Sequence, residues 1–270
     1  SKTNLSQLYD TYQTIHPDTT RVNSGTATFT GAIGEISDDT FQKGSLTQSH
    51  PLTLVEHPEN FDTNTLHALQ DILNTQSCRI TKGTTHKATT VPGAYLLINN
   101  PSYGSYDEYE DLQNQLQTPP ELLNVPDIHL APFYETNHQN RPTVTFSTTE
   151  AITYLHQATK DPIELPDSLH DELLSTLHSF IDNLNSDTLN KPTFPGLQRL
   201  VDTLTKLTIA HTRSRLSTTP TKQDLCQAFE FHKLVLQQLG ISVADQTTET
   251  VDLGPVETTL TSDQKERREY

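Results

Sequence analysis

The sequence predicts an α/β fold in the first half of the chain and an all-helical part in the second half. Two apolar runs, residues 51–56 and 94–98, have the length and composition of buried strands. A helix with one apolar face is predicted between them, over residues 63–75. From residue 149 onward, apolar residues recur at helical spacing in four successive segments. These patterns predict a layered sheet with helices, followed by a helical cap.

The composition narrows the classes of function. The chain has 270 residues, which is enough for one large domain or two small ones, and its formal net charge is −16. Such a surface repels nucleic acid, so any DNA contact would need a local basic spot. The acid excess with few lysines favours a high-salt, halophilic cytoplasm, with an ordinary acidic protein as the alternative. Two distant cysteines argue against a disulfide scaffold or a Cys-rich zinc site.

Residues 1–12 are predicted to begin a helix. Ser1, Lys2 and Thr3 match the end of a G-x-x-x-x-G-K-[ST] phosphate-binding loop, in which the lysine and the hydroxyl open the following helix. The glycines that would supply backbone amides to the phosphates do not precede them in the sequence. Lys2 and Thr3 are the candidate nucleotide-binding residues, and Thr3 is a candidate Mg²⁺ ligand if a nucleotide binds.

Residues 26–46 are predicted to form a β-hairpin. Alternating residues are interrupted by glycines, and the turn is placed near Asp38 and Asp39. Lys43 is a basic residue of this hairpin, but Glu35 and the two aspartates make the local charge unfavourable for phosphate. A structural role is therefore the first expectation for this hairpin.

A second hairpin is predicted from residues 77–81 and 86–90, which flank the sequence K-G-T-T. Arg79, Lys82 and Lys87 form the one cluster of uncompensated positive charge in the first half of the sequence. From the charge pattern alone, a solvated hairpin tip is one interpretation of this cluster and a local basic contact surface is the other.

Polar residues directly follow the two predicted strands. Glu56 and His57 end the first. Asn99 and Asn100 end the second, ahead of Pro101, and the proline forces Asn100 into an extended conformation. Open α/β sheets bind ligands beyond the carboxyl ends of their strands, so a ligand site is predicted here. Turns that merely end the strands are the alternative.

Four helices are predicted after a polar, Pro-interrupted linker at residues 133–146. They cover residues 149–157, 166–184 and 193–211, with a fourth that ends at Gly240. Asp167 is the predicted N-cap of the second, Leu197 lies on the apolar stripe of the third, and Thr221 caps the fourth. The inward residues predicted for the fourth helix are Leu225, Phe229, His232, Leu236 and Leu239. His170, His178, His211 and His232 share no metal-ligand spacing, which favours surface or rim positions.

The stretch from Ala94 to Ile128 carries the most ordered motifs. It reads N-P-x-x-G-x-Y-D from Asn100 and P-P-x-L-L-x-x-x-D from Pro119 to Asp127. This order resembles the sensor 1 and arginine-finger region of the minichromosome maintenance (MCM) replicative helicases, which are AAA+ ATPases. The resemblance extends over the chain up to about Gly240. It implies an AAA+ type, P-loop NTPase-like sheet core with helix-2-insert and pre-sensor-1 hairpins, followed by a helical lid.

The resemblance also implies roles for the candidate residues. Glu56 and His57 stand at the Asp and Glu positions of the Walker B motif, with Glu56 a candidate Mg²⁺ ligand, and Asn100 matches sensor 1. In the family the first hairpin faces the DNA channel, which makes Lys43 a candidate DNA contact. Lys82 matches the DNA-contacting lysine of the pre-sensor-1 hairpin, with Arg79 and Lys87 nearby as further candidate DNA contacts.

The departures from the family pattern lie at charged catalytic positions. Val125 occupies the arginine-finger position and Pro195 the sensor 2 position. The loss of such a charge commonly slows related NTPases by ~10³ to 10⁵. The resemblance therefore implies a degenerate relative that does not hydrolyse ATP alone.

The expected architecture is a partial AAA+ core over residues 1–135, a helical lid over 136–240 and a disordered acidic and polar tail over 241–270. The expected function is a cytoplasmic pseudoenzyme of DNA replication that binds an MCM ring, copies of itself or DNA. No cofactor is expected unless a partner chain completes a site for ATP and Mg²⁺. No membrane partner is expected, since no run of 18 apolar residues occurs. The alternatives are a fragment that completes a composite ATPase and a degenerate MoxR or chelatase-type AAA+ protein.

Overall fold

The computed structural model describes residues 10, 12–99, 112–116, 118, 120–123, 125–129, 147–182, 184 and 196–238. Within them the chain is α/β, as predicted, and it contains a three-stranded parallel sheet and several helices. Several sequence predictions lie outside the described residues: Lys2, Thr3, Asn100, Pro195, the linker 133–146 and the tail 241–270. No helix in the described part of the chain is both long and apolar enough to cross a membrane.

The strands and helices are numbered in chain order. The strands are β1 (Thr20–Asn23), β2 (Gly34–Ser37), β3 (Thr40–Lys43), β4 (Leu52–Glu56), β5 (Ser77–Lys82), β6 (Thr85–Thr90) and β7 (Ala94–Ile98). The helices are α1 (Phe29–Ala32), α2 (Thr63–Thr75), α3 (Leu112–Gln115), α4 (Pro120–Leu123), α5 (Thr148–Thr159), α6 (Asp167–Asp182), α7 (Leu197–Ser214) and α8 (Lys222–Gln238). A single 3₁₀ turn, Pro58–Asn60, follows β4.

The parallel sheet has the strand order β1-β4-β7, so the two predicted strands are neighbours. The third strand, β1, was not predicted, because in it only Val22 is buried and no apolar run marks it. Helix α2 covers the sheet and has the predicted bounds; its Leu69 and Ile72 are buried in the core with Val55. The carboxylate of Asp62 accepts from the amides of Asn64 and Thr65 and caps the helix.

Both predicted hairpins are present. β2 and β3 pair antiparallel around Asp38 and Asp39, whose φ angles of +49° and +58° are those of a type I′ turn. The prediction was wrong for residues 26–33, since Thr28 accepts a hydrogen bond from the Gly31 amide and caps the short helix α1 there. β5 and β6 pair antiparallel across the two-residue loop at Gly83.

The later helices pack around a second apolar core of their own. Leu173 and Leu177 of α6 pack against Leu200 and Leu204 of α7 and Phe229 of α8.

The inward residues predicted for α8 are buried where described, namely Leu225, Phe229, His232 and Leu236. Thr221 accepts a hydrogen bond from the amide of Asp224, so the predicted cap of α8 is confirmed.

Two details of the helical prediction were wrong. Leu197 is 47% exposed, because α7 begins at this residue and its buried stripe starts at Leu200. Asp167 is the first residue of α6 and not its N-cap, since the Pro166 carbonyl already accepts from the helical amide of His170.

Candidate functional site

The carboxyl ends of the three parallel strands lie side by side. Asn23 pairs with Glu56, and Glu56 pairs in turn with Ile98, so the strands end level with one another. Asn23, Glu56 and Asn99 therefore lie at the same edge of the sheet, which is where open α/β sheets bind ligands. Glu56 and His57, the pair predicted at the Walker B position, lie at the end of the central strand.

Glu56 is already engaged by protein groups. It is 9% exposed, and its Oε1 accepts a hydrogen bond of 2.6 Å from Nη2 of Arg21 on the neighbouring strand. The side-chain amide of Asn23 lies 3.5 Å from its Oε2. A cation entering this position would have to compete with the Arg21 guanidinium for the carboxylate. The arrangement therefore favours a structural ion pair over a ready-made Mg²⁺ ligand.

His57 has a left-handed backbone with φ +56°, directly after β4. Its amide donates to the carbonyl of Ile98 at 2.9 Å, and its carbonyl accepts from the Ser24 hydroxyl. A non-glycine residue in this conformation is uncommon, and the contacts on both sides hold it there. The backbone of His57 thus links the ends of the three strands.

The His57 ring is paired with Glu59, which sequence analysis did not single out. Nδ1 lies 3.1 Å from Oε1 of Glu59, whose side chain is 7% exposed. Glu59 was missed because the 3₁₀ turn that folds it back toward His57 has no apolar pattern.

Two acceptors at this edge have no hydrogen-bond partner among the described residues. They are Oε2 of Glu59 and Oδ1 of Asn99, and both atoms are buried. An unpaired buried acceptor destabilises the fold by about 1–3 kcal/mol. The described part of the edge presents mainly acceptors, whereas a bound phosphate needs donors.

Val125, at the predicted arginine-finger position, is 2% exposed. It is buried together with Leu122 and Leu123, so this position faces the protein interior. An apolar side chain here cannot neutralise charge on a phosphoryl group.

Asp127 anchors the segment after Val125 to helix α7. Its carboxylate accepts from the Thr203 hydroxyl at 2.9 Å and from Lys206 Nζ at 2.9 Å, and it lies 3.3 Å from Nη2 of Arg199. In the sequence, Asp127 is recognisable only as the last residue of the P-P-x-L-L-x-x-x-D motif. Its role was missed because its partners lie more than 70 residues away in the chain.

The basic residues of the β5–β6 hairpin divide between its two faces. Arg79 is exposed and lies opposite Ala88, on the same face as His86. Lys87 lies opposite Ile80 on the other face, where it is half-buried. Lys82 shares that second face. The structure therefore does not gather the three predicted DNA contacts on one surface.

Lys82 joins the two hairpins. Its Nζ donates a hydrogen bond of 2.9 Å to the carbonyl of Ile36 on β2. Residues 77–90 contain three basic residues and no acidic one, whereas the neighbouring β2–β3 hairpin carries three acidic residues. Lys43 is exposed at the end of β3, opposite Gly34.

No group of three His, Cys, Asp or Glu side chains suited to a metal ion occurs within the described ranges. Thr3 lies outside them, so the predicted Mg²⁺ pair of Thr3 and Glu56 stays a prediction. His232 lies in the core, 5% exposed, and not at a rim. Burial lowers the pKa of His232 to about 4, against the opposing effect of the Asp127 carboxylate, so its ring is neutral near pH 7.

A scan of the chain against protein-family models found no match, and a search of curated proteins found none either. The relation to the MCM helicases therefore depends on the motifs quoted above and stays a prediction.

Proposed function

We propose that the chain is a non-hydrolysing, MCM-like AAA+ module of DNA replication that contacts DNA through the Arg79 face of the β5–β6 hairpin. The observation that carries this proposal is the placement of Arg79 on an exposed strand face, in a hairpin with no acidic residue. His86 and the Thr81 hydroxyl share this face and are hydrogen-bonded to each other at 2.9 Å. These side chains offer donors to phosphate oxygens without sequence selectivity.

The contacts at the carboxyl edge of the sheet support the proposal that the chain alone does not hydrolyse ATP. Glu56 is neutralised by Arg21, and Val125 is buried where a phosphate-contacting arginine would be needed. In related enzymes the phosphate-contacting arginine alone accelerates ATP hydrolysis by a factor of ~10³ to 10⁵. An active MCM ring is the expected partner, since its subunits would supply the missing groups.

The net charge of −16 sets the expected strength of DNA binding. An acidic protein does not attract DNA over long distances, so contact depends on the local charge of the hairpin. We expect a dissociation constant on the order of 10⁻⁵ M near physiological salt, typical of non-specific binding. Binding should weaken further as the salt concentration rises.

Replacing Arg79 tests the proposed surface. Arg79→Ala should weaken binding of a labelled oligonucleotide about fivefold and lower the slope of log affinity against log salt by about 1, measured by fluorescence anisotropy. Lys87→Ala removes the same charge from the opposite, half-buried face and should change affinity less than twofold. Lys160→Ala, at the exposed residue that directly follows α5, is the matched control. Equal effects of all three changes, or the absence of any binding at low salt, would contradict the proposal.

Measurements of ATP binding and hydrolysis test the second part of the proposal, that the chain alone is not an ATPase. Calorimetry and phosphate release should show neither ATP binding nor hydrolysis by the chain alone, and Glu56→Gln should not change this result. Micromolar affinity for ATP together with ATP hydrolysis by the chain alone would contradict the proposal. Hydrolysis that appears only after an active MCM protein is added, and that Glu56→Gln removes, would establish the composite ATPase instead.

A further inference from the structure

A groove runs between helices α5 and α7 in the helical part of the chain. None of the described side chains of α5 is buried, so this helix leaves apolar surface uncovered where it meets α7. Leu155 and Ala158 line one side of the groove and Ile209 lines the other, around a volume of about 430 Å³. The hydroxyl of Tyr154 donates to the carbonyl of Ser214 at 2.7 Å and links the two helices.

The groove also contains a cation that no carboxylate of the described residues neutralises. Arg213 lines it and is half-buried, and its Nε is a buried atom with no hydrogen-bond partner in the described part of the chain. Lys206, the other basic residue of the groove, is already bound to Asp127. A half-buried guanidinium beside apolar side chains is best satisfied by a carboxylate carried on an apolar segment.

We propose that this groove binds a segment of the same chain that follows α8, residues 249–253, with the Glu249 carboxylate paired to Arg213. In an extended segment every second residue lies on the same face, so Glu249, Val251 and Leu253 would face the groove together. The carboxylate meets the guanidinium, and the two aliphatic side chains cover the apolar floor. Residues 241–262 contain four acidic residues and no basic one, which complements the groove in charge.

The connection is long enough for this contact within one chain. Helix α8 returns antiparallel to α7 after a short turn, so its last residue, Gln238, lies near the beginning of α7. Arg213 lies about 24 Å along α7 from that beginning, at 1.5 Å per residue. The eleven residues from Gln238 to Glu249 span up to about 36 Å when extended. The segment can therefore pass around α7 to the groove.

Photo-crosslinking of the full chain tests the proposal. A benzoylphenylalanine placed at Thr159, on the rim of the groove, should crosslink to residues 245–257 within a single chain, as mapped by mass spectrometry. The same probe at Ser175, on the exposed face of α6, is the control and should not reach this segment. Crosslinks that form only between two copies, or that miss residues 241–262, would overturn the proposal.

A charge exchange tests the proposed pair. Arg213→Glu should lower the crosslink yield about tenfold, as expected for the loss of a charge-assisted pair, and adding Glu249→Arg should restore it. Lys160→Glu makes the same change in charge at the exposed residue that follows α5 and should leave the yield unchanged. Arg213→Gln provides a milder variant if the reversal unfolds the protein. An unchanged yield in Arg213→Gln, or no recovery in the exchanged pair, would refute the contact.

Discussion

Gly34→Ala is expected to lower the free energy of unfolding by about 4 kcal/mol, as measured by chemical denaturation. Gly34 begins β2 with φ +112°, a conformation that side chains with a Cβ rarely adopt. An added Cβ would lie 2.1 Å from the backbone oxygen of Gln42 on the partner strand. Because that atom belongs to the hairpin backbone, it cannot move without breaking the pairing of β2 with β3.

Gly83→Ala is the matched control for this substitution. Gly83 also has a positive φ, +61°, but no atom lies within 4 Å of the position of its Cβ. The loss should therefore be limited to the backbone strain of an alanine, about 1 kcal/mol. Similar losses in the two variants would show that close approach to β3 is not the reason for glycine at position 34.

Asp224→Asn is expected to lower the free energy of unfolding by about 2–3 kcal/mol at pH 7. The side chain of Asp224 is 3% exposed and accepts from Nε and Nη2 of Arg215 at 2.8 and 2.6 Å. It also accepts from the amide and the hydroxyl of Thr221 at 2.9 and 2.8 Å, which fixes the turn before α8. An asparagine cannot accept all four bonds and carries no charge to pair with the guanidinium.

The same variant tests the pH dependence of stability. Burial alone would raise the pKa of Asp224, but the hydrogen bonds from Arg215 and Thr221 outweigh it and lower the pKa to about 2, from an ordinary 3.8. The folded state therefore binds this proton less readily than the unfolded state. The stabilisation is fully present above about pH 4 and is lost as the pH falls toward 2.

The difference in unfolding free energy between wild type and Asp224→Asn should shrink over that pH range. Asp202→Asn is the control, because the Asp202 carboxylate is exposed on α7 and has one hydrogen bond, from Gln198. Its effect should stay below about 0.5 kcal/mol at all pH values. A difference for Asp224→Asn that persists unchanged at pH 2 would contradict the assigned role of the charge.

The parts of the fold with strong local patterns were predicted correctly from the sequence. The apolar runs of β4 and β7 became neighbouring strands, and α2 has the predicted bounds because Asp62 caps it and its apolar face is continuous. The turn at Asp38 and Asp39 was recognised because few residue pairs accept positive φ at both positions. Each of these features depends on residues close together in the chain.

The sequence by itself therefore determined the α/β class, the paired strands and turns of both hairpins, and the buried faces of α2 and α8. Only the tertiary structure decided that β1 joins the sheet, that Arg21 neutralises Glu56, and that Arg79 and Lys87 lie on opposite faces of one hairpin. It also decided that Asp127 is bound to α7. The physical reason is that local periodicity selects the type and the buried face of an element, whereas ion pairs and strand neighbours depend on which distant residues the packed elements bring together.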